Sequence, residues 1–239
     1  MRLIFYILLF TSFNVFSNSS DSLFTIGNNY YENEFYEKAI ESYLSVDSTE
    51  HAHALYHNIG NCYYQTGDIA SSILFYERAL LLKNDLQTKE NLLLAKKRIQ
   101  EIESIPTLFL IQWWNSIAQF SNTTFWLIFS CIFVWISCFS LFLFLENRQK
   151  GTFNLFITAI VFTILLILIS QRSNYLSKKT YAIVMKKTSL VSNISETKPK
   201  QIITPGNKVE IIKYQGKNSL VILSNGEVGL VRRSDIEEL

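Results

Sequence analysis

The five-residue phrase Gly27-Asn28-Asn29-Tyr30-Tyr31 returns 33 residues later as Gly60-Asn61-Cys62-Tyr63-Tyr64. A fixed period of this length constrains the fold strongly: a single unit cannot bury its apolar face alone and must stack on its neighbour. The agreement extends on both sides. Leu23, Ile26, Gly27 and Tyr30 correspond to Tyr56, Ile59, Gly60 and Tyr63, and Tyr36, Ala39, Ile40 and Tyr43 to Ile69, Ser72, Ile73 and Tyr76. Each copy divides into two helical stretches. In the second copy Tyr56, Ile59, Gly60 and Tyr63 fall at i, i+3, i+4 and i+7, one helix face. Gly67-Asp68 supplies a break and an N-cap, and Ile69, Ile73, Tyr76 and Leu80 line the next helix. A mid-helix glycine costs about 1 kcal/mol against alanine. Gly27 and Gly60 therefore predict close approach by the partner helix, with the small Ser72 and Ala79 facing them.

This pattern resembles the tetratricopeptide repeat. Tyr56, Ile59, Gly60, Tyr63, Tyr76 and Ala79 stand where that family carries its Trp, Leu, Gly, Tyr, Phe and Ala. The copies cover 20–52 and 53–86. The first has Glu34 where the inter-helix glycine is expected, and Asn84-Asp85 replaces the closing proline. Leu92, Ala95, Ile99 and Ile102 continue one stripe, so residues 86–103 are expected to form a solitary helix capping a repeat region of 20–103.

Hydrophobic residues make up 49% of the 239 and are concentrated in a few runs. Residues 123–145 and 153–171 are uncharged and long enough to cross about 30 Å of hydrocarbon as helices. The polar stretch Glu146–Thr152 between them makes a transmembrane hairpin. Ahead of it, residues 106–120 place Leu110, Trp113, Trp114 and Ile117 on one face. Paired tryptophans suit the headgroup level, so this segment is expected to be an interfacial amphipathic helix; a loop helix packed on the repeat is the other reading. At the start, Met1-Arg2, apolar Leu3–Phe10 and the cleavage-like Val15-Phe16-Ser17 describe a signal peptide over 1–17. A short uncleaved anchor fits the same residues. Export predicts an inner (cytoplasmic) membrane protein with two spans, and with the repeats and the C-terminal segment both on the periplasmic side.

Residues 181–239 change character. Strand-like runs, including 208–214, 219–223 and 227–231, are punctuated by Pro205-Gly206, Gly216-Lys217 and Asn225-Gly226, the last a two-residue hairpin signal. The order resembles a bacterial SH3-like domain, which implies a small all-β barrel. Leu230 and Ser219 stand at or near positions where that family carries tryptophans, so ligand binding in its usual aromatic groove is not expected. The fold class is thus a multidomain membrane protein: α-helical tetratricopeptide repeats, a two-helix transmembrane hairpin and an SH3-like barrel. This whole order resembles the Bacteroides aerotolerance family of envelope membrane proteins. The resemblance implies protein partners among membrane proteins with von Willebrand A domains, a MoxR-type ATPase, and a link to oxygen tolerance or envelope stress.

Several functions are excluded or weakened. A net charge of +2 offers no electrostatic footprint for nucleic acid. There is no P-loop, Gly-x-Ser-x-Gly or His-Glu-x-x-His, so no enzyme, catalytic residue or cofactor is expected. The three cysteines have no ligand spacing, and His51, His53 and His57 lack a carboxylate partner, so no metal is expected. Binding is the stronger reading. In the family it resembles, the concave surface comes from the first helix of each unit, which here implies a groove of Phe24, Asn28, Tyr31 and Glu32 with His57, Asn61, Tyr64 and Gln65. The two asparagines can both donate to and accept from a peptide backbone, and the tyrosines add apolar area with a polar tip. Solvated helix-surface residues would have the same composition. The expected function is a membrane-anchored envelope scaffold that binds protein partners; a cell-wall or ligand sensor reading through the barrel is the alternative.

Overall fold

The computed structural model describes residues 19–47, 52–106, 108–192 and 199–239. The segment read as a signal peptide and His51 lie outside the described residues. The chain forms two compact units. One joins the residues up to Ser104 with Thr180–Leu239; the other is Ile105–Lys179.

The first unit begins with helices α1 (Ser19–Glu32), α2 (Tyr36–Leu44), α3 (Ala52–Thr66), α4 (Ile69–Leu82) and α5 (Leu86–Lys96). Asp68 and Asp85 start the last two, accepting from the Ser71 N–H at 3.1 Å and the Thr88 N–H at 3.0 Å. This satisfies donors that a helix start leaves without partners. Gly67 makes the α3–α4 turn at φ 87°, and Glu34 takes the same left-handed conformation at φ 63°. The first copy keeps the turn with a side chain there, at a local cost of about 1–2 kcal/mol. Tyr43, Ile59, Ile73, Leu74 and Tyr76 form the centre of the helical core. The close approach at the two glycines is made by aromatic rings. A Cβ on Gly27 would lie 2.5 Å from Tyr43 Cε1, and one on Gly60 2.6 Å from Tyr76 Cδ1.

Helix α5 stops at Lys96 and does not run on to Glu103. Ile99 and Ile102 are drawn off the helical stripe by tertiary contacts. Ile99 packs over Gly206, and the Ile102 N–H donates to Asn207 Oδ1 at 2.8 Å.

Strands β1 (Thr180–Val184), β2 (Thr188–Leu190), β3 (Gln201–Ile203), β4 (Lys208–Gln215), β5 (Asn218–Ile222), β6 (Val228–Arg232) and β7 (Ile236–Glu238) make two antiparallel sheets. One is ordered β6-β5-β4-β1-β7 and the other pairs β2 with β3, and a Val191–Leu230 bridge joins them. Alternating residues, among them Ala182, Val184, Leu190, Val209, Val221 and Val231, fill their shared core. Gly229 admits β2, since a Cβ there would lie 2.6 Å from Leu190 Cγ. The β5–β6 connection differs from the two-residue turn expected at Asn225-Gly226. Leu223 N–H donates to the Glu227 carbonyl at 2.9 Å, leaving a three-residue loop in which only Gly226 has positive φ. A three-residue loop closed by a left-handed glycine is the next favoured hairpin, and here it lets Ser224 Oγ donate to the Ile102 carbonyl at 2.7 Å.

Helices and sheets therefore share one body. Glu77 of α4 is buried and meets Lys208 of β4 at 2.7 Å and Lys96 of α5 at 3.3 Å. Arg78 donates to Glu237 at 2.9 Å. Asn207 is 3% exposed and also donates to the Gln100 carbonyl at 3.1 Å.

The second unit holds α6 (Phe109–Gln119), α7 (Thr123–Asn147) and α8 (Lys150–Ser177). Helices α7 and α8 are long and apolar enough to cross a membrane, with mean hydropathies of 2.5 and 2.6. Most of their apolar side chains are exposed, the reverse of a core helix in water. They meet through small polar residues: Ser140 Oγ donates to the Thr152 carbonyl at 2.7 Å, and Ser173 Oγ to the Ser121 carbonyl ahead of α7 at 3.2 Å.

Candidate partner-binding site

The rings that cover Gly27 and Gly60 carry hydroxyls aimed at the next residue of each repeated phrase. Tyr43 Oη donates to Asn28 Oδ1 at 2.7 Å, and Tyr76 Oη to Asn61 Oδ1 at 2.7 Å. A second amide reaches each oxygen from the following first helix: Asn58 Nδ2 at 3.1 Å and Asn91 Nδ2 at 2.9 Å. Two identical asparagine–tyrosine–asparagine clusters thus stand one period apart. Burial raises the Tyr43 and Tyr76 phenols above the ordinary value, so both remain donors at neutral pH. Among the described residues the Asn28 and Asn61 Nδ2 groups have no hydrogen-bond partner.

The second cluster opens into a cavity of 320 Å³. Its walls are Tyr31 of α1, Asn61, Tyr64 and Gln65 of α3, Tyr76 of α4, and Gln87, Asn91 and Leu94 of α5. Among the described residues no carboxylate lines it. Arg98 lies over the Tyr64 ring, 4.2 Å from its centroid. The Tyr31 phenol is raised by burial, with a hydrogen bond from Gln65 pulling the other way. The wall is a set of neutral amides and phenols that can donate and accept together, with apolar area between them. That chemistry suits the backbone and side chains of an extended peptide.

Tyr31, Asn61, Tyr64 and Gln65, four of the residues expected from the sequence, are brought together here. Asn28 is half-buried in the first cluster. Phe24 is half-buried against Tyr43, with ring centroids 5.7 Å apart, and Glu32 is exposed. His57 is buried instead of lining the surface, its Nδ1 2.8 Å from Thr88 Oγ1. Gln87, Asn91 and Leu94 were not among the expected residues. The sequence carried a signal for Asn91 alone, which follows Asn58 by the same period that separates Asn28 from Asn61.

Other chemistry is sparse. Burial pushes the Cys62 thiol up to about 12, which keeps it un-ionised and a poor nucleophile. The His53 and His57 rings stack at 6.4 Å, but no cluster of three metal-ligating side chains occurs among the described residues. On the sheets, Lys187, Asn218, Arg232 and Asp235 line a polar pocket of 360 Å³ beside Leu230. Ser219 is wholly buried, so the position near the missing aromatic faces inward.

No curated protein matches this chain. A family model does match over residues 53–86, which span α3, α4 and the turn into α5. That model describes the tetratricopeptide repeat, and the chain is similar to it there. The protein is thus a tetratricopeptide-like helical region, two helices apolar enough to span a membrane, and an antiparallel all-β domain.

Proposed function

We propose that the protein is a membrane-anchored envelope scaffold whose repeat groove holds extended segments of partner proteins. The observation that carries this reading is the 320 Å³ cavity of amides and tyrosines, which no carboxylate among the described residues lines. Glu77, Arg78 and Ile99, which carry the contact with the sheets, do not line it, so sheet packing leaves it open. The matched repeat supports protein–protein interaction over catalysis. Tyr64→Ala combined with Asn91→Ala in the full chain should lower the recovery of partners cross-linked in intact membranes by at least about tenfold, as loss of central interface contacts does. Unchanged recovery would sink the groove.

Anchoring follows from residues 105–179. The chain leaves its first unit at Ser104 and re-enters it at Thr180, so the intervening segment must cross a membrane an even number of times. A signal peptide over 1–17 puts that unit on the periplasmic side of the inner membrane, with residues 106–120 as an interfacial helix. Alkaline phosphatase fused after Glu103 or after Leu239 should be active in both positions; two inactive fusions would place the unit in the cytoplasm. The order of parts resembles BatE of the Bacteroides aerotolerance family, which suggests partners with von Willebrand A domains and a MoxR-type ATPase in a stress-related complex.

The polar pocket beside Leu230 supports a second reading, a sensor of cell-wall fragments. Titration of the detergent-solubilised chain with soluble muropeptides decides it: saturable binding lost in Arg232→Gln supports it, and no binding removes it.

A further inference from the structure

Helix α6 lies against the C-terminal end of α8, with Ala118 fully buried and Arg172 Nε donating to Asn115 Oδ1 at 2.8 Å. Between them is an open, mainly apolar cavity of 520 Å³ lined by Leu110, Ile111, Trp113, Trp114 and Arg172. The guanidinium carbon of Arg172 also sits 5.0 Å from the centroid of the Tyr175 ring. Asn115 and Tyr175 together fix the plane of the guanidinium and leave its two terminal nitrogens without a hydrogen-bond partner among the described residues. Among the described residues of 105–179 no carboxylate pairs with it. Glu146 is the sole acidic residue in 105–179 and stands near the far end of α7, roughly 35 Å away along the helix. Lys178 and Lys179 add positive charge a turn or two beyond Arg172.

We propose that this cavity is a binding site for an anionic phospholipid, resting on the reading of α7 and α8 as membrane spans. Arg172 takes the headgroup phosphate through its two terminal nitrogens, in the paired geometry a guanidinium offers an anion. Leu110, Ile111 and Trp113 take the first part of the acyl chains, and the tryptophans sit where apolar and wet surroundings meet. A charged group at the end of a span, with apolar walls and no acidic neighbour, complements a negative headgroup and discriminates against a zwitterionic one. The Ser173–Ser121 and Arg172–Asn115 hydrogen bonds hold α6 beside α8, so the cavity is built before lipid arrives.

The test is native mass spectrometry of the full chain in detergent, titrated with phosphatidylglycerol or with phosphatidylcholine. Phosphatidylglycerol should bind at least tenfold more tightly than phosphatidylcholine. Arg172→Gln should erase that preference, Arg172→Lys should keep part of it, and Trp113→Ala should weaken both lipids together, all with unchanged helical circular dichroism. Equal binding of the two lipids to the natural chain, or an undiminished preference in Arg172→Gln, overturns the proposal. So does displacement of phosphatidylglycerol by inorganic phosphate, which would mark a site for small anions only. Carbonate extraction of the same membranes separates the two claims: release of the chain would overturn the spans, whereas retention without lipid preference would overturn only the site.

Discussion

Glycine in the middle of a helix is a local penalty that the ring above it offsets. At Gly60 the space a methyl would need is filled by Tyr76, whose hydroxyl then reaches Asn61. Gly60→Ala gains about 1 kcal/mol of helix propensity but drives a Cβ into a packed ring, an overpacking cost of about 1–3 kcal/mol. The expected net effect is a lower melting temperature for the detergent-solubilised chain. Gly151→Ala, where nothing lies within 4 Å, should be neutral or stabilising. Equal effects at the two sites would refute the packing role. His57 gives a second residue-scale expectation. Burial holds its imidazole below the ordinary histidine value, against the opposing charge of Asp85. Below about pH 6.5 the unfolded chain therefore binds a proton that the folded chain resists, and stability falls as pH falls, by at most about 1.4 kcal/mol per pH unit. The Asp85 carboxyl, lowered chiefly by the Thr88 backbone hydrogen bond, titrates below that window. Chemical denaturation between pH 7 and 5.5 should show the loss, and His57→Gln should flatten it.

At the scale of elements, the periodic residues mark the helices well and the last helix end poorly. Leu92 and Ala95 are buried as an i, i+3 stripe requires, whereas Ile99 and Ile102 carry the same period and are not helical. Their apolar surface is satisfied by the sheets, through Gly206 and Asn207, which lie more than a hundred residues away in sequence. Periodicity records that a residue wants burial and does not record against what. Asn207 is the residue that decides it. Asn207→Ala leaves the Ile102 N–H without its partner, at about 1–3 kcal/mol, while the Gln100 carbonyl loses one of two donors and keeps Thr204 Oγ1 at 3.0 Å. Amide hydrogen exchange should then accelerate at residues 99–103 while α3 stays protected. Uniform acceleration across the helices would show that the contact is not local.

At the scale of the whole molecule, one folded unit is interrupted by another. The helices and the sheets meet around Glu77, whose carboxylate lies between Lys208 and Lys96. Replacing residues 105–179 by a Gly/Ser linker should give a water-soluble protein in which both halves of the first unit unfold in one transition. Two separated transitions by circular dichroism and tyrosine fluorescence would show that they are independent domains. Glu77→Ala in that protein leaves two ammonium groups beside a partly buried surface. The groups are partly solvated, so the cost should be less than the 3–5 kcal/mol of a fully buried pair, about 2 kcal/mol. The transition should also become broader or divided.

Sequence alone determined the repeat, the two apolar runs and the strand-rich end, because period, length and turn chemistry are local properties of a chain. It also held Asn28, Asn61, Tyr31 and Tyr64, since a repeated phrase repeats its surface along with its core. Tertiary structure decided what each group faces. It gave the asparagine oxygens to Tyr43 and Tyr76, buried His57 on Thr88, supplied Gln87, Asn91 and Leu94 as the far wall, and drew Ile99 and Ile102 onto the sheets. Apart from Asn91, which the 33-residue period marks, these outcomes depend on which side chains meet between separate elements, and no local pattern encodes that.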